Sequence, residues 1–164
     1  MEQKPYNEAF GDGFSADYES TIISISLRED EIMSTFADLQ DARAYFAGDL
    51  FAIENGVQIE ELTSDSCLCS LNITDHHRNA MGAVMGGVIF TLADLAFAVS
   101  ANNDHHPTVS MTSTVHFLSP VRGKQLYART RRVKTGRNSA VWEVEIRDEL
   151  GTNIALLTGT GFKL

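Results

Sequence analysis

The chain is poor in cysteine, proline and tryptophan, with two, three and one of these among 164 residues. Two cysteines cannot build a disulfide framework. Cys67 and Cys69 stand at i, i+2, too close for an ordinary bridge within one strand. That spacing puts both on one strand face, and they read as buried thiols in a reducing cytoplasm. Basic residues are also scarce: 13 Lys and Arg against 22 Asp and Glu leave a net charge of −9. Such a balance argues against nucleic acid as the main partner. There is no HExxH, no Cys/His set at zinc spacing, no phosphate loop, no GxGxxG and no GxSxG. A metal, a nucleotide cofactor and a serine-hydrolase triad are therefore not expected. The opening segment, MEQKPYNEAFGDGF, has neither the basic nor the apolar region of a signal peptide. No apolar run reaches the roughly 20 residues that span a bilayer. The longest, Val88–Val99, contains the charge of Asp94, so a membrane is not an expected partner.

What is present points to one domain with a substantial core, since apolar content is an ordinary 43%. The charge is unevenly spread. Residues 1–60 carry three basic and thirteen acidic side chains. Residues 122–137 carry seven basic ones, Arg122, Lys124, Arg129, Arg131, Arg132, Lys134 and Arg137, and no acid. This stripe reads either as a solvated strand face or as a site for a small polyanion.

Residues 1–40 form an expected N-terminal extension, partly helical or mobile, with a short strand at Thr21–Leu27 and an amphipathic helix at Arg28–Gln40. The main domain is expected over 41–164. Asp41 is placed to cap a helix over Ala42–Glu54 that closes at Asn55-Gly56. From Val57 the period changes to two, giving strands at Val57–Ser64 and Ser66–Thr74. A helix over Gly86–Asn102 follows, apolar on nearly every side. Four strand-like runs complete the chain, Thr108–Leu118, Lys124–Thr135, Ser139–Asp148 and Thr152–Lys163, read as a meander with turns between them. A helix apolar all round must be buried all round. A single antiparallel sheet achieves that by curling around it, and the remaining helix face and sheet edges need a second subunit. The fold class is thus α+β, a curled antiparallel sheet around a long central helix, which is the hot-dog architecture.

The pattern Asn79-x-x-Gly82-x-x-x-Gly86-Gly87-x-x-x-x-Leu92-Ala93-Asp94-x-Ala96 resembles the hot-dog thioesterases, in the phenylacetate-degradation branch of the 4-hydroxybenzoyl-CoA thioesterase-like superfamily. Phe117-Leu118-Ser119-Pro120 ahead of Gly123, Gly136-Arg137 and Asp148-x-x-Gly151 extend the resemblance over about residues 42–163. It implies hydrolysis of an acyl-CoA thioester without a cofactor. The backbone N–H of Gly86 would polarise the carbonyl, and Asp94 would act as general base or nucleophile. Asn79 would place the carbonyl or the water, with Ser110 assisting the water. One departure stands out: many members carry His where this chain has Met85, and methionine neither donates a hydrogen bond nor takes a proton. The backbone amides of Gly86 and Gly87 survive that change.

Read by themselves, the same residues leave alternatives. Gly86 and Gly87 at a helix start either present N–H groups to an oxyanion or merely permit close packing. Asp94, flanked by Leu92, Ala93, Leu95 and Ala96, is either a base with a raised pKa or a structural acid paired with an arginine or a helix N-terminus. Met85, Phe90, Leu92 and Phe97 either line an apolar pocket or belong to the core. Gly136 and Arg137, with Arg132 and Lys134 behind them, are candidates for the phosphates of coenzyme A. The histidine pairs His76-His77 and His105-His106 read as loop residues flanking the helix, and His116 as a strand residue. Gly86 and Asp94 are eight residues apart, roughly 12 Å along a helix at 1.5 Å per residue. One chain cannot bring both to one thioester carbon. Two antiparallel helices across a two-fold axis can, so the expected assembly is a homodimer or a dimer of dimers with two sites per dimer. The rival expectations are a non-catalytic acyl-CoA-binding or sensing protein, favoured by Met85, and a hydratase. The hydratase would want an Asp/His dyad, and no His occurs between Asn79 and Asn102.

Overall fold

The computed structural model describes residues 34–164. The elements run α1 (Leu39–Phe46), α2 (Leu50–Glu54), β1 (Val57–Leu62), β2 (Cys67–Asn72), a 3-10 turn (Asp75–His77), α3 (Gly86–Asp104), β3 (Thr108–Phe117), β4 (Gln125–Thr135), β5 (Ser139–Asp148) and β6 (Asn153–Lys163). The six strands form one antiparallel sheet in the order β1-β2-β4-β5-β6-β3. α3 packs against all six of them. The expected curled sheet around a central helix is therefore the observed one. Among the described residues no helix is long and apolar enough to cross a membrane.

The core is where the two periodicities meet. Leu92, Ala93, Ala96, Phe97 and Val99 of α3 are buried against Cys67, Cys69 and Leu71 of β2, Leu126 and Ala128 of β4, and Trp142, Val144 and Ile146 of β5. Burying each of the larger side chains stabilises the fold by about 1.5–3 kcal/mol. The fit is close enough to require glycine on β6. A Cβ at Gly159 would stand 2.8 Å from the Phe97 ring. Both cysteines are free and buried as expected, with their sulfurs 3.7 Å apart. Two buried hydroxyls inside the core are paired. The Ser100 and Thr130 hydroxyls lie 2.6 Å apart, and the Cys67 N–H donates to Thr130 Oγ1 at 2.7 Å.

Several expectations are corrected. The helix over Ala42–Glu54 is two helices, broken where Gly48 supplies a poor helix former and the chain turns at Asp49. The cap of α1 is Asp38 rather than Asp41. Asp38 Oδ1 accepts from Gln40 and Asp41 N–H at 2.8 and 2.9 Å, while Asp41 reaches back to the Ala37 N–H. The strand at Thr21–Leu27 and most of the helix at Arg28–Gln40 lie outside the described residues. Residues 35–38 are bends, not helix. Phe36, ahead of the expected boundary at residue 41, is already core. Thr35 and Phe36 bond to Asn103 at the end of α3.

The last four strands are not a simple meander. β4, β5 and β6 are consecutive neighbours, but β3 pairs with β6 at the far edge. α3 crosses the concave face and delivers the chain to the opposite edge from β2. The link after β3 then returns to set β4 beside β2, where Ile73 N–H bonds Lys124 O. That return is held by Asp148, wholly buried, whose carboxylate accepts from the N–H groups of Arg122, Gly123, Leu150 and Thr152. Glu149 adds bonds from Lys124 and Gln125, and sits where a Cβ on Gly123 would be. The Gly123 and Asp148-x-x-Gly151 motifs are thus one latch.

At the other end of α3, Asp104 is a carboxylate at a helix C-terminus, where the dipole disfavours it. Lys163, Arg132 and Thr135 surround it, at 2.9, 3.1 and 2.9 Å. Burial raises its pKa, but the bonds from Lys163 and Thr135 and the charges of Arg132 and Lys163 outweigh burial and hold it below the ordinary carboxylate value.

Candidate active site

The loop before α3 is organised by Asn79. Its Oδ1 accepts from the N–H groups of Met81 and Ala83 at 2.9 and 3.1 Å, and its own N–H bonds Ala83 O at 2.8 Å. The side-chain oxygen is committed to the turn. Gly82 takes a positive φ of 78°, open to glycine without strain. Buried His77 ties this loop to the α2 end. Thr74 N–H donates to His77 Nδ1, so Nε2 carries the proton that faces Asn55 O at 3.1 Å. Met85 N–H then bonds His77 O at 2.8 Å and fixes the start of α3.

Met85 is the N-cap and makes no capping bond with its side chain. The N–H groups of Gly86 and Gly87 accordingly meet no acceptor among the described residues. They carry the partial positive charge of a 19-residue helix. Gly86 cannot be larger without a shift, because a Cβ there would stand 2.9 Å from the tip of the Phe117 ring.

Asp94 lies two turns on, half-buried, in a groove of about 500 Å³ between α3 and α2. It forms no hydrogen bond or ion pair among the described residues, so the reading of a structural acid paired with an arginine finds no support. Burial raises its pKa, and the charge of Asp49 across the groove raises it further. Asp49 is the N-cap of α2 yet makes no side-chain cap bond, and lines the same groove. Gly86 opens onto a different groove, with Phe117, Leu118 and Pro120. The eight-residue spacing thus puts Gly86 and Asp94 on two different grooves of one chain. The partly exposed residues of α3 past its first turn, Phe90, Thr91, Asp94 and Ala98, repeat every three or four positions. They form the one stripe of this helix that the sheet leaves open.

The other expected residues are dispersed. Gly87 and Met85 line a cavity next to the Asp94 groove. Phe90 lines the Asp94 groove, whereas Leu92 and Phe97 are core. Ser110 is exposed on edge strand β3, 3.4 Å from the Ser113 hydroxyl, and lines neither groove. Gly136 and Arg137 occupy the β4–β5 turn beside the C-terminal end of α3, about 27 Å of helix from Gly86.

Arg137 and Lys134 form no ion pair among the described residues, but three of the seven basic residues of the stripe are neutralised. Arg129 pairs with Glu61 and Arg131 with Glu143. Arg132 bonds Ser64 O, pairs with Asp65 and Asp104, and lies 5.1 Å over the Trp142 ring. A phosphate role for Arg132 is therefore withdrawn, since its charge is spent inside the fold. Sequence reasoning missed Asp49, Phe51 and Thr91. The only signal for Asp49 and Phe51 was the Gly48 break, which turns them toward α3.

Comparison with known proteins agrees with this geometry. The sequence model of the thioesterase superfamily matches residues 81–155. A protein of Deinococcus radiodurans is 34% identical over 106 residues, covering 64% of this chain and 73% of that protein. Acyl-coenzyme A thioesterase PaaI of Escherichia coli is 27% identical over 126 residues, covering 76% and 90%. Among solved structures, the TT0310 protein of Thermus thermophilus superposes with a TM-score of 0.66 at 30% identity, covering 70% of this chain and 97% of that one. The Escherichia coli PaaI protein superposes with a TM-score of 0.72 at 26% identity, covering 76% and 91%.

Proposed function

The chain belongs to the thioesterase superfamily as a hot-dog thioesterase of the PaaI type, and on that premise we propose that it hydrolyses an acyl-CoA thioester in a site shared by two copies of the chain. The observation that carries this is the state of α3. Two free N–H groups stand at its start, and an unpaired, half-buried carboxylate faces the open stripe eight residues later.

Gly86 N–H donates a hydrogen bond to the thioester oxygen, and the helix start favours the negative charge that grows there. Asp94 of the partner subunit takes a proton from water as the water oxygen bonds the carbonyl carbon. The tetrahedral species then expels the CoA sulfur, which recovers the proton from Asp94, and the free acid leaves. The raised pKa of Asp94 makes it a stronger base than an ordinary carboxylate. The amide nitrogen of Asn79, whose oxygen is taken up by the turn, steadies the carbonyl or the water. Arg137 and Lys134, at the far end of one α3, come near the α3 start of an antiparallel partner, where coenzyme A phosphates would lie. The assembly is a homodimer or a dimer of dimers.

The test is thiol release over aliphatic and aromatic acyl-CoAs, for the parent and for Asp94→Asn. Release that Asp94→Asn abolishes supports the proposal. Binding without release by the parent would assign the chain to acyl-CoA sensing instead.

A further inference from the structure

Two cavities share a wall beside the α3 start. One is the Asp94 groove. The other, about 330 Å³, lies between α2, β1, β2 and the first turns of α3, and is bounded by Met85 and Gly87, the neighbours of Gly86. Only Phe51 and Thr91 line both. Phe51 projects from the five-residue α2 with 74% of its surface exposed, a large ring kept out of the core.

The smaller cavity is apolar in what it offers. Its inner surface is Val57, Leu71, Val88 and Met85. Among the described residues, no Lys, Arg, Asp or Glu lines it, and its one ionisable side chain is the exposed His76. Two of its polar groups are already occupied: Thr91 Oγ1 donates to Gly87 O at 2.9 Å, and Asn55 Nδ2 donates to Phe51 O at 2.6 Å. A charged tail would lose its water there and meet no Lys or Arg to pair with.

We propose that Phe51 is a specificity-determining residue, whose ring closes this cavity into a compartment for an uncharged, apolar acyl group. Volume sets the limit. A cavity of about 150 Å³ takes up benzene, so one about twice that size holds an acyl group of up to about ten carbons. Longer chains meet the Phe51 ring. Removing the ring joins the compartment to the Asp94 groove. The inference rests on the reading that the thioester carbonyl sits at the α3 start, and its test is separate from hydrolysis.

The affinity of S-acylmethyl thioethers of CoA, which keep a carbonyl but cannot be hydrolysed, is measured by calorimetry for the parent, Phe51→Ala and Ile53→Ala. Ile53 is on α2 but lines neither cavity. Parent affinity is expected to rise from the acetyl to the decanoyl analogue and to stop rising at palmitoyl. Phe51→Ala is expected to bind the palmitoyl analogue at least about tenfold tighter than the parent does, in line with the value of a few methylenes in an apolar pocket, with hexanoyl unchanged. Ile53→Ala is expected to follow the parent, and an adipoyl analogue to bind the parent more weakly than hexanoyl. A parent that keeps gaining affinity through palmitoyl, a Phe51→Ala profile parallel to the parent's, or no binding at any length overturns the inference. The expected affinity pattern without thiol release from the matching thioesters would instead overturn the hydrolase reading and leave the role of Phe51 standing.

Discussion

If each site takes Gly86 from one chain and Asp94 from another, two inactive variants must restore each other in a fixed proportion. Asp94→Asn removes the base. Asp94 has no bonding partner among the described residues, so the substitution leaves no group unsatisfied. The loss is expected at about 10²–10⁴-fold in kcat, or about 2.7–5.5 kcal/mol of barrier. The complementary variant is Gly86→Pro, which deletes one N–H. Proline is tolerated at the first helical position, and Met85 before it already has φ −69° and ψ 134°, a conformation allowed ahead of proline. The added ring meets the Phe117 tip, the far end of a half-exposed side chain that can swing aside. Loss of one oxyanion donor costs about 10²–10³-fold.

In a heterodimer of the two variants, one site combines the intact Gly86 of the first chain with the intact Asp94 of the second. The other site carries both lesions. Isolated heterodimer, obtained by co-expression with two different tags, should therefore show about half the parent activity per dimer. Random reassociation of equal amounts makes half the dimers mixed, so the unfractionated mixture should reach about a quarter of parent activity. Thiol release per dimer is the assay. Activity that stays at the level of the single variants would place both groups in one chain's site, and the shared-site reasoning would be wrong.

Asp94 pKa is raised by burial and then by Asp49, so kcat/KM should fall on the acid side at a pH above the ordinary carboxylate range. Asp49→Asn should move that limb downward and leave the plateau in place, as read in a pH–rate profile. The same raised pKa means the ionised Asp94 opposes folding above its folded pKa, an effect that disappears as pH falls below the unfolded value. Asp94→Asn should then melt no lower than the parent at neutral pH, by calorimetry. Asp104 has the opposite sign: its lowered pKa stabilises the fold above the ordinary carboxylate value and the gain is lost as pH falls through the folded value. Asp104→Asn should lower Tm at neutral pH, with the gap closing in acid. Asp148→Ala leaves four N–H groups without their acceptor and should cost more than about 3 kcal/mol in urea unfolding. A single turnover in heavy-oxygen water should label the acid product at once if Asp94 activates water. Label that first enters the Asp94 carboxylate would identify it as the nucleophile.

What could be read before the structure was whatever depends on period. The α3 start at Gly86 and the strands from Val57 onward follow from spacings of 3.6 and 2, and each boundary falls within a few residues of the observed one. Pairing carries no such signature. Nothing local distinguishes β3 beside β4 from β3 beside β6, because the choice is made by the path of α3 across the sheet. The pairing inside the basic stripe was hidden for the same reason. Arg129, Arg131 and Arg132 are close in sequence, but their partners Glu61, Asp65, Asp104 and Glu143 arrive from four other segments. Asp49 was hidden by Gly48: a continuous helix would have turned it elsewhere, and only the break lets it share a groove with Asp94.

Met85 changes meaning once its position as N-cap is known. Its inability to hydrogen-bond looked like a loss measured against the histidine of similar sequences. At an N-cap, however, the preferred residues are Ser, Thr, Asp and Asn, and each of them takes up an N–H of the first turn. A polar cap would accept from the N–H of Gly87 or Val88, at the second and third helical positions, and bring a competing acceptor beside the Gly86 donor. Methionine pins the helix through its backbone alone, to His77 O on one side and Val88 N–H on the other. Its thioether meanwhile lines the compartment beside Gly87. The cost is a less stable helix start, by about 1 kcal/mol against a good cap. On this account Met85→Ser should raise Tm and lower kcat together. A histidine at the same position, too long to fold back on its own first turn, should leave kcat at least as high as in the parent. A Met85→Ser variant that gained stability and kept full turnover would show that the first-turn donors are not what binds the carbonyl.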